Sequence, residues 1–195
     1  AVSALEMALW DLKGKLLGAP VHDLLGGRVR ERVRVYRNLW GRNPEEFANS
    51  AKEAISNSMT AVKVSPAGPT TDVISRFHMD EMEAVVSAVR GAVGPAIDVA
   101  IDLHGRLTPA ASRRAIHALS KYDPFFIEEP CLPDGSASHL ADLRALRTAQ
   151  PVAIATGERL RSAHAFAEHL LPSPVVDIIQ PDVSMVGGIR ASVEI

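Results

Sequence analysis

The stretch AIDVAIDLHGRLTPAASRRAIHALSKYDPFFIEEP, residues 96–130, decides the fold. It contains a short apolar run (96–102), a longer stretch with helical spacing (108–122) and a second apolar run (124–129). Short apolar runs bounded by Gly and Pro are typical of buried strands, whereas apolar residues spaced by three and four are typical of a helix. The stretch therefore predicts a strand, a helix and a second strand.

The same alternation extends in both directions. An amphipathic helix opens the chain and ends near Gly18 and Pro20. Further strands are predicted at 33–40, 61–64, 151–156 and 175–180. Further helices are predicted at 44–57, with Asn43 as the cap, and at 79–93, 138–149, 162–171 and 188–195. Strands that alternate with helices form a parallel sheet wrapped by helices.

Such a sheet is either open and doubly wound or closed into a barrel. No glycine-rich phosphate loop follows the first strand, and polar residues follow several successive strands, which favours the barrel. A barrel has eight strands, and six are predicted here. We therefore expect an α/β fold: a partial TIM-like (β/α) barrel with about six of eight parallel strands and the helices outside.

The chain begins and stops inside helical patterns, so we expect both ends to be cuts. Residues 1–28 are predicted to be a helix and turn that link a mostly absent N-terminal capping domain to the barrel. Residues 29–195 are predicted to be the incomplete barrel domain. We expect this fragment to be inactive by itself and the parent protein to be a homo-oligomer.

The composition indicates a soluble globular protein without a nucleic-acid or membrane partner. The chain has 195 residues, of which 47% are hydrophobic and 23% charged, and a formal net charge of -2. This charge gives no basic stripe, and no stretch approaches the ~20 apolar residues that span a bilayer. Cys131 is the sequence's one cysteine, which excludes an internal disulfide and fits a reducing cytoplasm.

Three acidic residues follow three consecutive predicted strands: Asp102, Glu128 and Glu158. One acid at such a place is commonly a helix cap or a strand-end residue. Neighbouring parallel strands lie ~4.8 Å apart, so three acids at equivalent ends would converge. Their charges would repel without a cation, and oxygen ligands with room for water suit Mg²⁺. The sequence therefore predicts a Mg²⁺ site.

Three further residues are predicted to be catalytic. His104 lies two residues after Asp102, on the same side of the chain, where it could donate or accept a proton beside the metal. Lys63 ends the second strand, from which a long cation could reach a substrate carboxylate. Asp182 follows the sixth strand and could orient a histidine from a neighbouring strand; its alternative is an ordinary turn residue after Pro181.

Arg106, Gln180 and Trp40 are predicted to bind substrate, although core or lid packing is an equal alternative for Trp40. Glu129 alternates with Glu128 and is assigned to an ion pair behind the ligands. The remaining histidines are predicted to lie on the surface: His22, His78, His117, His139, His164 and His169.

Six motifs carry a family resemblance: SALEMALWDLKGKLLGAPVHDLLGG (3–27), VKV (62–64), IDLHGR (101–106), FIEEP (126–130), ATGERL (155–160) and IIQPDVSMVGGI (178–189). Together they resemble the enolase superfamily, and more closely its mandelate racemase branch. Glu128 follows Asp102 by 26 residues and Glu158 follows Glu128 by 30, which predicts a small insertion around residues 133–135.

Within that branch, Asp-x-His-Gly-Arg at 102–106 resembles sugar-acid dehydratases of the galactonate type. The racemases carry Lys-x-Lys on the second strand, whereas this chain has Lys63, Val64 and Ser65. The resemblance implies Mg²⁺-dependent dehydration of an aldonate to a 2-keto-3-deoxy acid. A seventh-strand histidine beyond this chain would remove the proton next to the carboxylate, and Mg²⁺ would stabilise the enediolate. His104 would protonate the departing 3-hydroxyl.

Two alternatives stay open. A racemase, epimerase or cycloisomerase of the same branch would exchange the proton without losing water. A shortened, non-catalytic chain would act as a binding or assembly module.

Overall fold

A computed structural model of the chain describes residues 2–66, 68, 73–132, 137–149 and 151–195. The strands are β1 (Arg37–Asn38), β2 (Ala61–Val64), β3 (Asp98–Asp102), β4 (Ile127–Glu128), β5 (Ile154–Thr156) and β6 (Ile178–Ile179). The α-helices are α1 (Val2–Leu17), α2 (Val21–Leu24), α3 (Pro44–Ser56), α4 (Arg76–Val93), α5 (Pro109–Leu119), α6 (Ala137–Ala149), α7 (Ala163–Leu170) and α8 (Ile189–Glu194). A 3-10 turn, Ser120–Tyr122, follows α5. The predicted insertion around 133–135 lies outside the described residues.

The six strands form one sheet in the order of the sequence, from β1 to β6. Neighbouring strands from β1 to β5 pair in parallel, with Val62 opposite Val99 and Asp102 opposite Glu128. A parallel strand needs a crossover connection, and helices supply it here. The predicted α/β class with six parallel strands and intervening helices is confirmed.

Several strands are shorter than predicted. The stretch predicted at 33–40 pairs as a strand at Arg37–Asn38, and β4 begins at Ile127 although the apolar run begins at 124. Val33 and Val35 are 76% and 62% exposed, so their alternation with arginines does not place an apolar face in a core. Apolar alternation predicts which face a residue would occupy, but it does not show where hydrogen bonding to a neighbour begins.

Side-chain caps set where two of the crossover helices begin. Asn43 accepts a hydrogen bond from the N–H of Glu46 immediately before Pro44, as predicted, and Thr108 accepts one from the N–H of Ala111. A cap of this kind satisfies one of the backbone donors that a helix start leaves without a partner, and proline is preorganised for the first turn. These caps fix the short turns that lead from each strand into its helix.

The described residues contain no helix long and apolar enough to cross a membrane. The chain divides into a larger unit, residues 35–156 and 173–178, and a smaller unit, residues 1–34, 157–172 and 179–195. Consecutive strand residues are buried in the larger unit, as is typical of a parallel sheet covered on both faces. Its most deeply buried aliphatic residues include Val62, Val64, Val86, Val89, Val99, Ile101, Ile116, Leu119, Ile127, Leu143, Leu146 and Ile154.

In the smaller unit, α1 packs through small residues. Ser3 and Gly14 are its buried residues, and a Cβ added to Gly14 would lie 2.8 Å from the carbonyl oxygen of Ala19. The apolar positions that made the helix amphipathic in the sequence are 52–78% exposed: Leu5, Leu9, Leu12 and Leu16. The helix therefore docks by close backbone approach, while its leucine stripe faces solvent in this chain.

Glu6 of α1 binds the start of α8. Its carboxylate accepts hydrogen bonds from the N–H groups of Ile189 (2.7 Å) and Arg190 (3.0 Å) and from the indole of Trp10 (2.6 Å). Gly188 has a φ of 105°, and a Cβ there would lie 2.0 Å from Glu6 Oε2. Burial alone would raise the pKa of Glu6, but the three donors outweigh it and lower the pKa.

We predict that Glu6→Gln lowers the melting temperature at neutral pH, because the amide cannot accept from all three donors as an anion does. A lowered pKa gives stability that is present above the ordinary value of 4.5 and is lost as the pH falls through the pKa of folded Glu6. The difference from wild type should therefore shrink in acid. Glu194→Gln, which changes an exposed carboxylate paired with Arg190, is the control. If the difference in melting temperature between Glu6→Gln and wild type is just as large well below pH 4.5, the Glu6 carboxylate is not the source of this stability.

Candidate active site

Two carboxylates and one ammonium meet at the ends of β2, β3 and β4 in the larger unit. Asp102 and Glu128 are the last residues of β3 and β4, lie opposite each other in register, and are each 2% exposed. Lys63 Nζ lies 2.6 Å from Glu128 Oε2 and 3.4 Å from Asp102 Oδ2. The parallel register therefore brings both carboxylates to one positive charge.

Lys63 is held as a cation. Burial by itself would lower the pKa of its ammonium, but the hydrogen bond to Glu128 and the charges of Glu128 and Asp102 outweigh it and raise the pKa. The ring of Tyr36 lies 5.2 Å from Nζ, within the range of a cation–π contact. The same ring packs edge-on against Phe126, with centroids 6.1 Å apart. These contacts fix the ammonium between the two carboxylates.

His104 also contacts the Asp102 carboxylate, at the same oxygen as Lys63 and through its backbone. Its N–H donates to Asp102 Oδ1 (2.8 Å), and its Nε2 is 3.3 Å from Asp102 Oδ2. About a third of the His104 side chain is exposed, whereas that of Asp102 is buried. The Asp102 carboxylate thus orients the imidazole, whose Nε2 faces that carboxylate and whose Nδ1 is buried.

The turn that carries His104 depends on glycine. Gly105 has a φ of 63°, and a Cβ added there would lie 3.0 Å from Leu132 Cα. The N–H of Gly105 donates to the carbonyl of Glu129, and the N–H of Leu103 donates to that of Glu128. The turn after β3 is therefore joined to the residues that end and follow β4, which fixes the position of His104 beside Asp102.

We predict that Gly105→Ala destabilises the protein more than Gly18→Ala does. Gly18 has a similar φ of 62°, but no described atom lies within 4 Å of an added Cβ. The left-handed backbone alone should reduce the free energy of unfolding by about 1–2 kcal/mol in either variant. Gly105→Ala adds the close approach to Leu132. If the two variants lose the same free energy of unfolding in urea, the turn after β3 is not constrained by the turn after β4.

Arg106 and Trp40, two of the residues predicted to bind substrate, lie in the larger unit and form hydrogen bonds within the chain. Arg106 Nη1 donates to the carbonyl of Gly68 (3.1 Å), which tethers the segment after β2. Trp40 is 77% exposed, and its backbone N–H donates to Ser50 Oγ (3.3 Å). Their roles toward a substrate stay predictions.

The remaining predicted residues lie in the smaller unit. Glu158 follows β5 by two residues and pairs with Arg159 at 3.5 Å. Asp182 accepts from the backbone N–H (2.7 Å) and the hydroxyl (2.6 Å) of Ser184. Gln180 is half-buried just after β6. Glu158 as a third metal ligand, Asp182 as the partner of a histidine and Gln180 as a substrate ligand stay predictions.

Within the part of the chain that the structure describes, no three His, Cys, Asp or Glu side chains are grouped as a metal site. The charge between Asp102 and Glu128 is supplied by Lys63. A hard cation in place of that ammonium would meet buried carboxylate oxygens, which are the donors that Mg²⁺ prefers. The chemistry of this donor pair therefore fits a divalent cation.

Glu129, the residue after Glu128, is completely buried and has a φ of 44°. Its Oε1 accepts from Thr156 Oγ1 at 2.5 Å.

Tyr36, which contacts Lys63, was not among the predicted site residues. It lies two residues before Asn38 in the first predicted strand, which puts it on the same side of the strand as Trp40. The alternation of the strand therefore indicates Tyr36 as well as Trp40.

The prediction that the other six histidines lie on the surface is wrong for two of them. His139 and His169 are 4% and 2% exposed. His169 Nδ1 lies 2.8 Å from the carbonyl oxygen of Ala165, and His139 Nδ1 lies 3.9 Å from Cys131 Sγ. Each histidine lies on a helix face that packs inward, where a partner within reach of its ring lets it be buried.

Comparison with known proteins identifies the family. Residues 46–195 match the domain described as "Enolase C-terminal domain-like", and residues 1–26 match "Mandelate racemase / muconate lactonizing enzyme, N-terminal domain". The chain belongs to the mandelate racemase and muconate lactonizing enzyme family of the enolase superfamily. The resemblance seen in the sequence motifs is confirmed.

Curated relatives of this family member are named as dehydratases. The chain is 39% identical to a D-gluconate dehydratase of Thermoproteus tenax, with 100% of this chain and 39% of the relative covered. It is 34% identical to a D-galactonate dehydratase of Variovorax paradoxus, with 97% and 48% covered. The chain therefore spans half or less of the length of these relatives.

Solved structures of the family have the same fold. A mandelate racemase/muconate lactonizing enzyme from Sulfitobacter sp. superposes with a TM-score of 0.89 at 36% identity, covering 98% of this chain and 50% of that one. A related protein from Rubrobacter xylanophilus gives a TM-score of 0.88 at 34% identity, covering 98% and 54%. The predicted partial TIM-like barrel is confirmed.

Proposed function

We propose that this family member contributes much of the active site of a Mg²⁺-dependent sugar-acid dehydratase, which converts an aldonate to a 2-keto-3-deoxy acid. The observation that carries the proposal is the buried Asp102 carboxylate, whose Oδ2 contacts both the Lys63 ammonium and the His104 imidazole. The names of the relatives, gluconate and galactonate dehydratase, support the substrate class.

Asp102 and Glu128 are the proposed metal ligands, because both are buried and converge on one positive charge. Glu158 is proposed as the third ligand from its position after β5 in the sequence. When bound, Mg²⁺ would supply the charge that stabilises the anion left after the proton beside the substrate carboxylate departs. Lys63 would contribute a second positive charge near that carboxylate.

His104 is the proposed general acid. Asp102 accepts from its backbone and lies next to its Nε2, so this carboxylate orients the ring. From Nε2 it would give a proton to the departing 3-hydroxyl. The base would be a histidine outside this chain that Asp182 orients. Arg106, Gln180 and Trp40 are proposed to contact the sugar chain.

We predict that the protein that carries this chain forms 2-keto-3-deoxy acid from D-gluconate or D-galactonate with Mg²⁺ and not with EDTA. A panel of sugar acids scored for 2-keto acid formation measures this. The same reactions in D₂O separate the alternatives, since incorporation of deuterium next to the carboxylate without loss of water would indicate a racemase or epimerase. If no sugar acid gives either product or deuterium exchange, the proposal is contradicted.

We predict that His104→Asn reduces dehydration by about 10²–10⁴-fold, the usual contribution of a general acid. Substrate binding should persist, and so should exchange of the proton beside the carboxylate, because another group removes it. His117→Asn, which alters an exposed histidine of α5, should leave both reactions unchanged. Dehydration by His104→Asn at nearly the wild-type rate would exclude His104 as the acid.

A further inference from the structure

The ammonium of Lys63 occupies the position that a metal ion between Asp102 and Glu128 would require. We propose that Lys63 is an internal counter-cation: it holds the two carboxylates together while no metal is bound and is displaced when a divalent cation binds. The inference rests on the proposed function in that it takes Asp102 and Glu128 as metal ligands.

The first step is the charge of the carboxylate pair. Asp102 and Glu128 lie opposite each other on adjacent strands and are each 2% exposed. Two carboxylates so placed repel each other, because little water lies between them to screen their charges. Lys63 Nζ, at 2.6 Å from Glu128 and 3.4 Å from Asp102, offsets that repulsion. The ammonium thus holds both carboxylates at one point.

The second step is that an ammonium and a metal ion compete for this point. Lys63 contacts Glu128 Oε2 and Asp102 Oδ2, the oxygens that a metal ion shared by the two carboxylates would need. A Mg²⁺ ion bound there would lie about 2.1 Å from those oxygens. A dication and an ammonium so close together in a buried site repel strongly. Metal binding is therefore an exchange of cations.

The third step is where the ammonium goes. The Tyr36 ring lies 5.2 Å from Nζ and is 37% exposed, so it extends from the buried pair toward solvent. Lysine has a flexible four-carbon stem. A small rotation can release the carboxylates and keep the ammonium over the ring. Lys63 then remains charged and close to the site without blocking it.

Differential labelling of lysines tests the exchange directly. The protein that carries this chain is treated with limiting acetic anhydride, with and without Mg²⁺, and acetylation of each lysine is measured by mass spectrometry. Lys63 should react several-fold faster with Mg²⁺ than with EDTA, because its side chain is only 10% exposed when it bridges the acids. Lys121, paired with Glu83 and 57% exposed, is the internal control and should react equally in both.

A pair of variants tests the same exchange by stability. Lys63→Met should lower the melting temperature in EDTA, because it leaves the two carboxylates without a cation between them. Mg²⁺ should then raise the melting temperature of Lys63→Met by more than it raises that of the wild type. Mg²⁺ binding should tighten about tenfold, as expected if the Lys63-bound state holds about nine-tenths of the metal-free protein. Lys121→Met should match the wild type in both measurements.

The outcomes separate this inference from the proposed function. Mg²⁺ binding with unchanged Lys63 acetylation would overturn the exchange, even if dehydration is observed. Faster acetylation of Lys63 with Mg²⁺ but no dehydration would support the exchange and contradict the dehydratase. A lysine that stays in place would also weaken metal binding by repulsion, so the Mg²⁺ affinity does not distinguish it from a lysine that is displaced. The acetylation rate of Lys63 distinguishes the two cases. If calorimetry shows no Mg²⁺ binding, both fail.

Discussion

Two carboxylates buried at neighbouring strand ends require a positive charge between them, and the rest of the site depends on this requirement. Asp102 and Glu128 are placed by strand register, which the surrounding sheet fixes, so neither can move away from the other. Lys63 meets the requirement from the next strand. The protein thereby holds two negative charges close together in its interior.

The geometry around this pair follows from short, local features of the chain. Gly105 permits a tight turn after β3, and the backbone hydrogen bonds of that turn hold it against the residues after β4. The Asp102 side chain then accepts from the backbone of His104. Helix caps such as Thr108 end the turn and start the crossover helix. A residue two positions from a strand end thus acquires its orientation from the carboxylate at that strand end.

The fold and the position of Asp102 opposite Glu128 could be predicted because both depend on periodicity. Alternating apolar runs and helical spacing gave the six strands in order, and residues at strand ends fall on one edge whatever the packing. The contacts of Lys63 with Tyr36 and both acids depend on the rotamer of a long side chain, which spacing does not determine. The burial of His139 and His169 depends on partners in tertiary contact, and the exposure of Val33 and Val35 depends on which neighbour pairs with them.

A crystal structure of the protein with Mg²⁺ tests the central claim most directly, because it shows which cation lies between Asp102 and Glu128. The account predicts one metal ion coordinated by an oxygen of each carboxylate at about 2.1 Å. It also predicts that Lys63 Nζ has left its present position 2.6 Å from Glu128. A metal ion bound elsewhere, with Lys63 still bridging the two acids, would contradict it.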